Sequence, residues 1–431
     1  MKKTLVSGVM AFLSILGFSQ QAEIQSDTTR AGAAKVFIDC RTCDMNYTRQ
    51  AIPYVNYVRD VKEAQIYILV TNQNAGSGGM QYTYTFEGLG DFKGLGDTLV
   101  YTSNPDETTP IVREQRTKIL KMGLMRYVAK TPVFNEVDIT SNSTKRAEQV
   151  TDNWNNWVFQ LSTTPRYNGE ATYKSFTMMN GINITKITPE IKIEIGIEQS
   201  FTNTKYINPN GSIRLVHKSS SGMSNLIVKS LNDHWSLGAK VDLSAETFSN
   251  YKFKSEILPA IEWDLYPYSE STHRQMRFLY SIGYAFNNYI DTTIFNKTEE
   301  GLFKHELSIA YQVQEKWGSI NLSLVGSNYF QDFTKNRVEF STNFRIRIVK
   351  GLSLNVNGSV AHINDQLNLK KGTLSEANRL LRLSEQATKY SLGGSVGITY
   401  TFGSIYNNVV NPRFGNGTQG GIQGGGQQGG R

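Results

Sequence analysis

Between residues 337 and 362 the chain alternates more strictly and for longer than anywhere else in its 431 residues. The even positions are Val338, Phe340, Thr342, Phe344, Ile346 and Ile348, and the odd ones are Arg337, Glu339, Ser341, Asn343, Arg345 and Arg347. After Val349-Lys350-Gly351 the rhythm resumes, with Leu352, Leu354, Val356, Gly358 and Val360 set against Ser353, Asn355, Asn357, Ser359 and Ala361. A period of two puts the two sets on opposite faces of an extended strand. The glycine that ends the three-residue gap suits a hairpin closing on a left-handed residue. Each strand runs about eleven residues, enough for a tilted strand to cross a bilayer. An apolar face backed by a charged and small one is the pattern of a transmembrane β-barrel strand, apolar toward lipid and polar toward the lumen.

The chain repeats this pattern. Strands are expected at residues 157–161, 176–184, 191–197, 225–231, 235–243, 253–265, 278–286, 303–313 and 320–324, then the hairpin, then 392–402. The total is about twelve, an even number, as bacterial single-chain barrels have. Connections after even strands are mostly short (185–189, 232–234, 314–318, 349–351), and those after odd strands mostly long (202–224, 287–301, 364–389). Short periplasmic turns and long outer loops give that asymmetry. The short connection near Ser249 and the longer one at 266–274 are exceptions.

Ahead of the barrel region (153–403) the sequence reads differently. Residues 1–20 have the form of a signal peptide, with Lys2 and Lys3, an apolar run over 5–17, and Gly17-Phe18-Ser19 as the cleavage site. Residues 35–131 read as a small α+β domain in the order β-α-β-β-β-α, placed in the periplasm. Its elements are a strand at 36–39, a helix over 45–59 broken at Pro53, strands at 65–71, 81–87 and 99–102, and a helix over 108–129. That last helix starts on Pro110 and carries Ile111, Ile119, Leu120, Leu124 and Tyr127 on one side. Residues 132–152 read as a linker; residues 404–431 form a C-terminal segment, folding back over 403–414 and Gly/Gln-rich from 415 on.

The net charge of +8 suggests an anionic partner, yet both signs are mixed and no basic run is interleaved with aromatics. Nucleic acid is therefore excluded. No stretch of eighteen apolar residues follows residue 20, so no membrane-spanning helix is expected. Cys40-Arg41-Thr42-Cys43 follows a strand and precedes a helix. It reads first as a local structural disulfide and second as a thiol–disulfide site. Two thiolates without neighbouring ligands do not make a metal site. No serine is paired with any of the five scattered histidines, so no enzyme, catalytic residue or cofactor is expected, and His305 and His362 sit on the lipid-facing phase.

The lumen-facing phase carries Lys192, Lys240, Lys252, Lys254, Lys304, Arg337, Arg345 and Arg347 against Glu194, Glu198, Asp242, Glu256, Glu262, Asp264, Glu306 and Glu339. A ring of one sign would select ions. Equal numbers imply cross-strand pairing and a narrow or blocked lumen, with a porin-like channel for small polar solutes as the alternative.

Two resemblances bear on this reading. Ser395-Val396-Gly397-Ile398-Thr399-Tyr400-Thr401-Phe402 resembles the closing strand of outer-membrane barrels, which implies recognition by the barrel-assembly machinery through Ser395, Gly397, Tyr400 and Phe402. Such strands usually end the chain, whereas this one is followed by a tail. His234-Trp235-Ser236, the run from Tyr266 to Thr272 and the run from Thr401 to Phe414 resemble a widespread set of bacterial outer-membrane β-barrel envelope proteins with an N-terminal periplasmic α+β domain. The element order of 35–131 is also similar to mixed domains of TolB-like and CsgG-like envelope proteins. These likenesses imply an outer-membrane barrel contacting lipid, with a periplasmic protein as candidate partner, and supply no activity.

Overall fold

The computed structural model describes residues 29–76, 78–138, 153–208, 210–372 and 384–408. The expected signal peptide, most of the linker, the greater part of the 375–386 stretch and the Gly/Gln-rich tail lie outside them. The protein is mainly β and contains two sheets.

The first sheet has five strands in the order β2-β1-β3-β4-β5. They are β1 (Lys35–Asp39), β2 (Asn56–Tyr57), β3 (Ile66–Asn74), β4 (Met80–Gly88) and β5 (Gly96–Thr102). β1 runs parallel to both β2 and β3, and β3, β4 and β5 pair antiparallel. Helix α1 (Met45–Ala51) begins where the Asp44 side chain accepts the Tyr47 N–H at 3.0 Å. It stops ahead of Pro53, whose ring and missing N–H are incompatible with continuation. The expected helix over 45–59 is thus too long, because residues 56–57 form the parallel edge strand β2 instead.

Helix α2 (Thr109–Val128) buries Leu120, Gly123, Leu124, Tyr127 and Val128, one stripe at helical spacing, and also Arg116. Ile111, expected on that stripe, is exposed. A β-carbon on Gly123 would come within 2.1 Å of the Phe86 ring, so glycine sets how closely α2 approaches β4. The core joins this stripe to Val36, Ile52, Ile66, Ile68, Tyr84 and Phe86.

The second sheet is one antiparallel run of twelve strands in sequence order. They are β6 (Trp157–Gly169), β7 (Tyr173–Ile187), β8 (Ile191–Ile207), β9 (Ile213–Ser230), β10 (Trp235–Glu246) and β11 (Tyr251–Asp264), followed by β12 (Arg274–Tyr289), β13 (Glu299–Glu315), β14 (Gly318–Tyr329), β15 (Asp332–Val349), β16 (Leu352–Ile363) and β17 (Tyr390–Tyr400). The β15–β16 turn places Gly351 at φ +73°, as the sequence requires. The expected closure is not present: β6 and β17 are unpaired edges of an open sheet.

Residues 202–224, expected as a long loop, mostly belong to β8 and β9. Their strand character lacks apolar alternation because polar pairs stabilise it, Thr177–Thr202 at 3.0 Å and Asn203–His217 at 2.7 Å. Phe402, expected inside the last strand, lies beyond β17. Pro259 stands in the middle of β11, where proline is rare because it cannot donate to the ladder. The β11–β12 ladder skips Leu258 and Pro259, and Gly283 opposite sits where a β-carbon would meet the Ile257 carbonyl oxygen at 1.8 Å.

Candidate functional site

The twelve-stranded sheet has two chemically opposite faces. Following the register across strands, one row reads Trp235, Trp263, Phe278, Ile309, Leu324, Phe340, Val360 and Leu392. Leu237 (52% exposed), Ile257 (52%) and Phe303 (55%) continue this apolar face, which no other part of the described structure covers. The polar face is the concave one: Lys304 of β13 comes within 3.9 Å of Glu256 on β11, across the intervening strand.

Charges on the concave face are neutralised mostly along single strands rather than between strands, contrary to expectation. The pairs are Lys192–Glu194 at 3.1 Å, Lys240–Asp242 at 2.9 Å, Lys254–Glu256 at 3.2 Å, Lys304–Glu306 at 3.4 Å and Arg337–Glu339 at 2.9 Å. Residues i and i+2 share a face, and a long basic side chain spans the gap to the acid two places on. Arg337 is also held by Asp365 at 3.0 Å, and Glu262 by the Tyr268 hydroxyl at 3.1 Å.

The N-terminal unit sits at the end of the sheet that carries the connections after β7, β9, β11, β13 and β15. The expected difference in length between the two ends reduces to the one long connection at 364–389, since 265–273 at this end is as long as 290–298 at the other. Arg347, expected among the lumen charges, instead bonds Asp39 of β1 at 2.9 Å and lies over the Phe37 ring. Arg345 donates to Asn355 at 2.6 Å. Lys316 pairs with Glu87, Lys350 pairs with Glu63, the Gly351 N–H donates to Asp60 at 2.7 Å, and Thr85 contacts His273 Nε2 at 3.2 Å. Gly76 lies against Ile187, and Gly78 against Val158. One small unit thus touches turns that belong to strands from β6 to β16, which requires the sheet to curl. The long 266–274 connection is explained here, because it supplies Ser271, Thr272 and His273 to the junction.

A cavity of about 410 Å³ lies in this junction. Asn72, Gln73, Gln275, Gln312, Gln314 and Asn321 line it with carboxamides, and Arg41 is its one charged lining residue. Arg41 donates to Ser319 Oγ at 2.6 Å. Burial lowers its pKa, as does the positive charge of Arg345.

Cys40 and Cys43 form a disulfide beside that cavity, with Arg41 in its loop. Arg116, 8% exposed, points its guanidinium at both sulfurs: Nη2 lies 3.3 Å from Cys40 Sγ and 3.1 Å from Cys43 Sγ. The same group donates to the Thr42 carbonyl at 2.8 Å and to the Tyr84 hydroxyl at 3.1 Å, and its Cζ stands 4.2 Å from the centre of the Tyr82 ring. Sequence reasoning missed Arg116, since a lone arginine on an amphipathic helix reads as surface charge. The signal that could have found it is its helical phase, four before Leu120 and eight before Leu124.

The opposite end is also crossed. Asn250, 1% exposed and at φ +62°, donates from Nδ2 to the Asp291 and Asn368 carbonyls at 2.9 Å each and accepts the Asp291 N–H at 2.8 Å. Asparagine tolerates that left-handed backbone better than most residues. The connection after β16 is thereby tied to the β10–β11 and β12–β13 connections, far away in strand order. Ser395, Gly397 and Tyr400 lie exposed on edge strand β17, with Phe402 stacked on Tyr400 at 5.6 Å. Residues 405–408 leave β17 and return to the first sheet: Arg59 N–H donates to the Ile405 carbonyl at 3.0 Å, Asn407 N–H to Tyr57 at 2.9 Å, and Tyr57 N–H to Asn408 Oδ1 at 2.7 Å.

Among the described residues no helix is long and apolar enough to cross a membrane, and no three His, Cys, Asp or Glu side chains gather as metal ligands. No protein-family model and no curated protein matches the sequence, so the arrangement has to be read from its own chemistry.

Proposed function

We propose that this chain is an outer-membrane β-barrel protein that anchors its N-terminal α+β domain at the periplasmic mouth of a blocked barrel, as a structural or partner-docking element of the cell envelope. The observation that carries this reading is the apolar face of the twelve-stranded sheet. Large contiguous apolar surface is an aggregation liability in water, whereas hydrocarbon solvates it, and alternating apolar-out strands are what barrels present to lipid. The side on which the N-terminal unit sits agrees with the reading, because the one long connection, 364–389, lies at the opposite end and outer loops are the long ones.

Lipid offers no hydrogen bonds to the free edges of β6 and β17, each unsatisfied group costing several kcal/mol. The reading therefore requires these two strands to pair with each other in the membrane, which completes an edgeless barrel of twelve strands. Local neutralisation on the concave face, the unit covering one end and the tied loops across the other support a blocked lumen over a solute channel. The partners are outer-membrane lipid, the barrel-assembly machinery during insertion, and a periplasmic protein docking on the exposed part of the N-terminal unit.

Membrane fractionation with heat-modifiable gel migration tests the placement. The chain should pellet with outer membranes, resist alkaline extraction and run faster unboiled than boiled. Recovery as a detergent-free monomer from periplasmic extract sinks the proposal. In planar bilayers the wild-type chain should show no single-channel steps, and reproducible steps would restore the porin reading.

A further inference from the structure

We propose that the Cys40–Cys43 disulfide is redox-active, accepting two electrons from a small or protein dithiol, with Arg116 stabilising the thiolate that leaves. A buried guanidinium is costly unless a negative charge or good acceptors surround it. Arg116 has none of the former: among the described residues no carboxylate is within ion-pair distance, and Asp44 is taken by Arg113 at 3.1 Å. Its neutral oxygen acceptors are the Thr42 carbonyl, Thr42 Oγ1 and the Tyr84 hydroxyl. Nη2 also faces the two sulfurs, at 3.3 and 3.1 Å, which in the oxidised state are weak acceptors. A thiolate there is a strong one, because its negative charge adds Coulomb attraction to a hydrogen bond that the guanidinium otherwise makes to a neutral sulfur. The site is therefore better matched to its reduced state than to its oxidised one, and both cysteines are partly exposed to an attacking thiol.

The exchange balances as follows. A thiolate of the dithiol attacks one Sγ, a mixed disulfide forms, and the Cys40–Cys43 bond breaks with its electron pair moving to the other Sγ, opposite Arg116. The second thiol of the reagent, deprotonated by water, then attacks the reagent sulfur of the mixed disulfide and closes the reagent's own disulfide. The second cysteine is released as a thiolate and takes a proton from water, while the first stays ionised against Arg116. The reagent is oxidised by two electrons and the protein is reduced by two. A cation beside the leaving sulfur lowers its thiol pKa and speeds its departure. This inference does not depend on the membrane placement.

The test is equilibration of the detergent-solubilised full chain in dithiothreitol redox buffers, with thiols counted by alkylation and mass, and folding followed by circular dichroism. Reduction should occur without unfolding. Arg116→Gln should shift the equilibrium toward the disulfide by about tenfold, equivalent to about 30 mV for this two-electron couple. Arg116→Lys, which keeps the charge, should recover most of the shift. Tyr84→Phe removes one acceptor from the guanidinium, leaving it more dependent on the sulfurs, and should move the equilibrium a few-fold the other way. A purely structural disulfide predicts reduction only with loss of fold, or both Arg116→Gln and Tyr84→Phe within about twofold of wild type, and either result overturns the proposal. Should Arg116→Gln fail to fold, the direction of the Tyr84→Phe shift decides alone.

Discussion

The two sheets of this protein treat their apolar residues in opposite ways. In the first, Val36, Ile66, Ile68, Tyr84, Phe86, Leu120 and Leu124 are all essentially inaccessible, and a helix covers one face of the sheet. In the second, Leu237, Ile257, Phe303, Val338 and Leu392 stand open, while the face turned inward holds lysine, arginine and carboxylates. Similar strand chemistry yields two orientations because the solvent of one sheet is water and, in our reading, that of the other is lipid. The contrast teaches that burial within a chain and hydrophobicity are separable. A strand pattern reports which face is apolar, and only the covering layer reports what that face meets.

The comparison can be broken by experiment. Phe86→Ala should cost about 3–5 kcal/mol, the range for emptying a packed aromatic site. It should expose residues 35–131 to protease while leaving heat-modifiable migration intact. Equal loss in both regions would show that the two sheets are one cooperative unit. Leu324→Arg, at mid-strand on the apolar row, should cost about 2–4 kcal/mol if that face meets hydrocarbon. A water-exposed position would tolerate it within about 0.5 kcal/mol. Urea unfolding from lipid vesicles separates the two outcomes.

Asn250→Ala removes three hydrogen bonds that tie distant connections together and should cost about 1–3 kcal/mol. It should also hasten cleavage in the connection after β16, followed by mass spectrometry. The smallest effect belongs to the junction between the sheets. The hydrogen bond to Glu63 raises the Lys350 pKa above its ordinary value, so this contact is fully present below about pH 10.5 and is lost only as pH rises beyond that. Calorimetry between about pH 8 and pH 11 should show a slight alkaline loss of thermal stability that Lys350→Met lacks. A midpoint that falls equally in both chains would remove Lys350 from the junction.

What could be read in advance follows from how local each cause is. The β15–β16 hairpin was legible because alternation and Gly351 are local, and the twelve strands because each repeats that pattern. Edge strand β2 was not: two residues carry no period, and only their parallel neighbour β1 makes them a strand. The polar extensions of β8 and β9 were hidden because Thr177–Thr202 and Asn203–His217 pairs, rather than apolar alternation, hold them. At the candidate site the cysteines were visible from spacing, and the arginine between their sulfurs and the sheet was not, since its partners lie more than thirty residues away. The i, i+2 pairs are legible too, since base precedes acid two places on in Lys192–Glu194, Lys240–Asp242, Lys254–Glu256, Lys304–Glu306 and Arg337–Glu339.

The return of residues 405–408 to β2 bears on biogenesis. The first sheet, made before the twelve strands, borrows the partners of its β2 edge from a stretch translated some three hundred and fifty positions later. Until all twelve intervening strands have been threaded and set, that flank stays sticky and incomplete. A product interrupted partway would display it to proteases and chaperones, so sewing it shut marks a finished molecule.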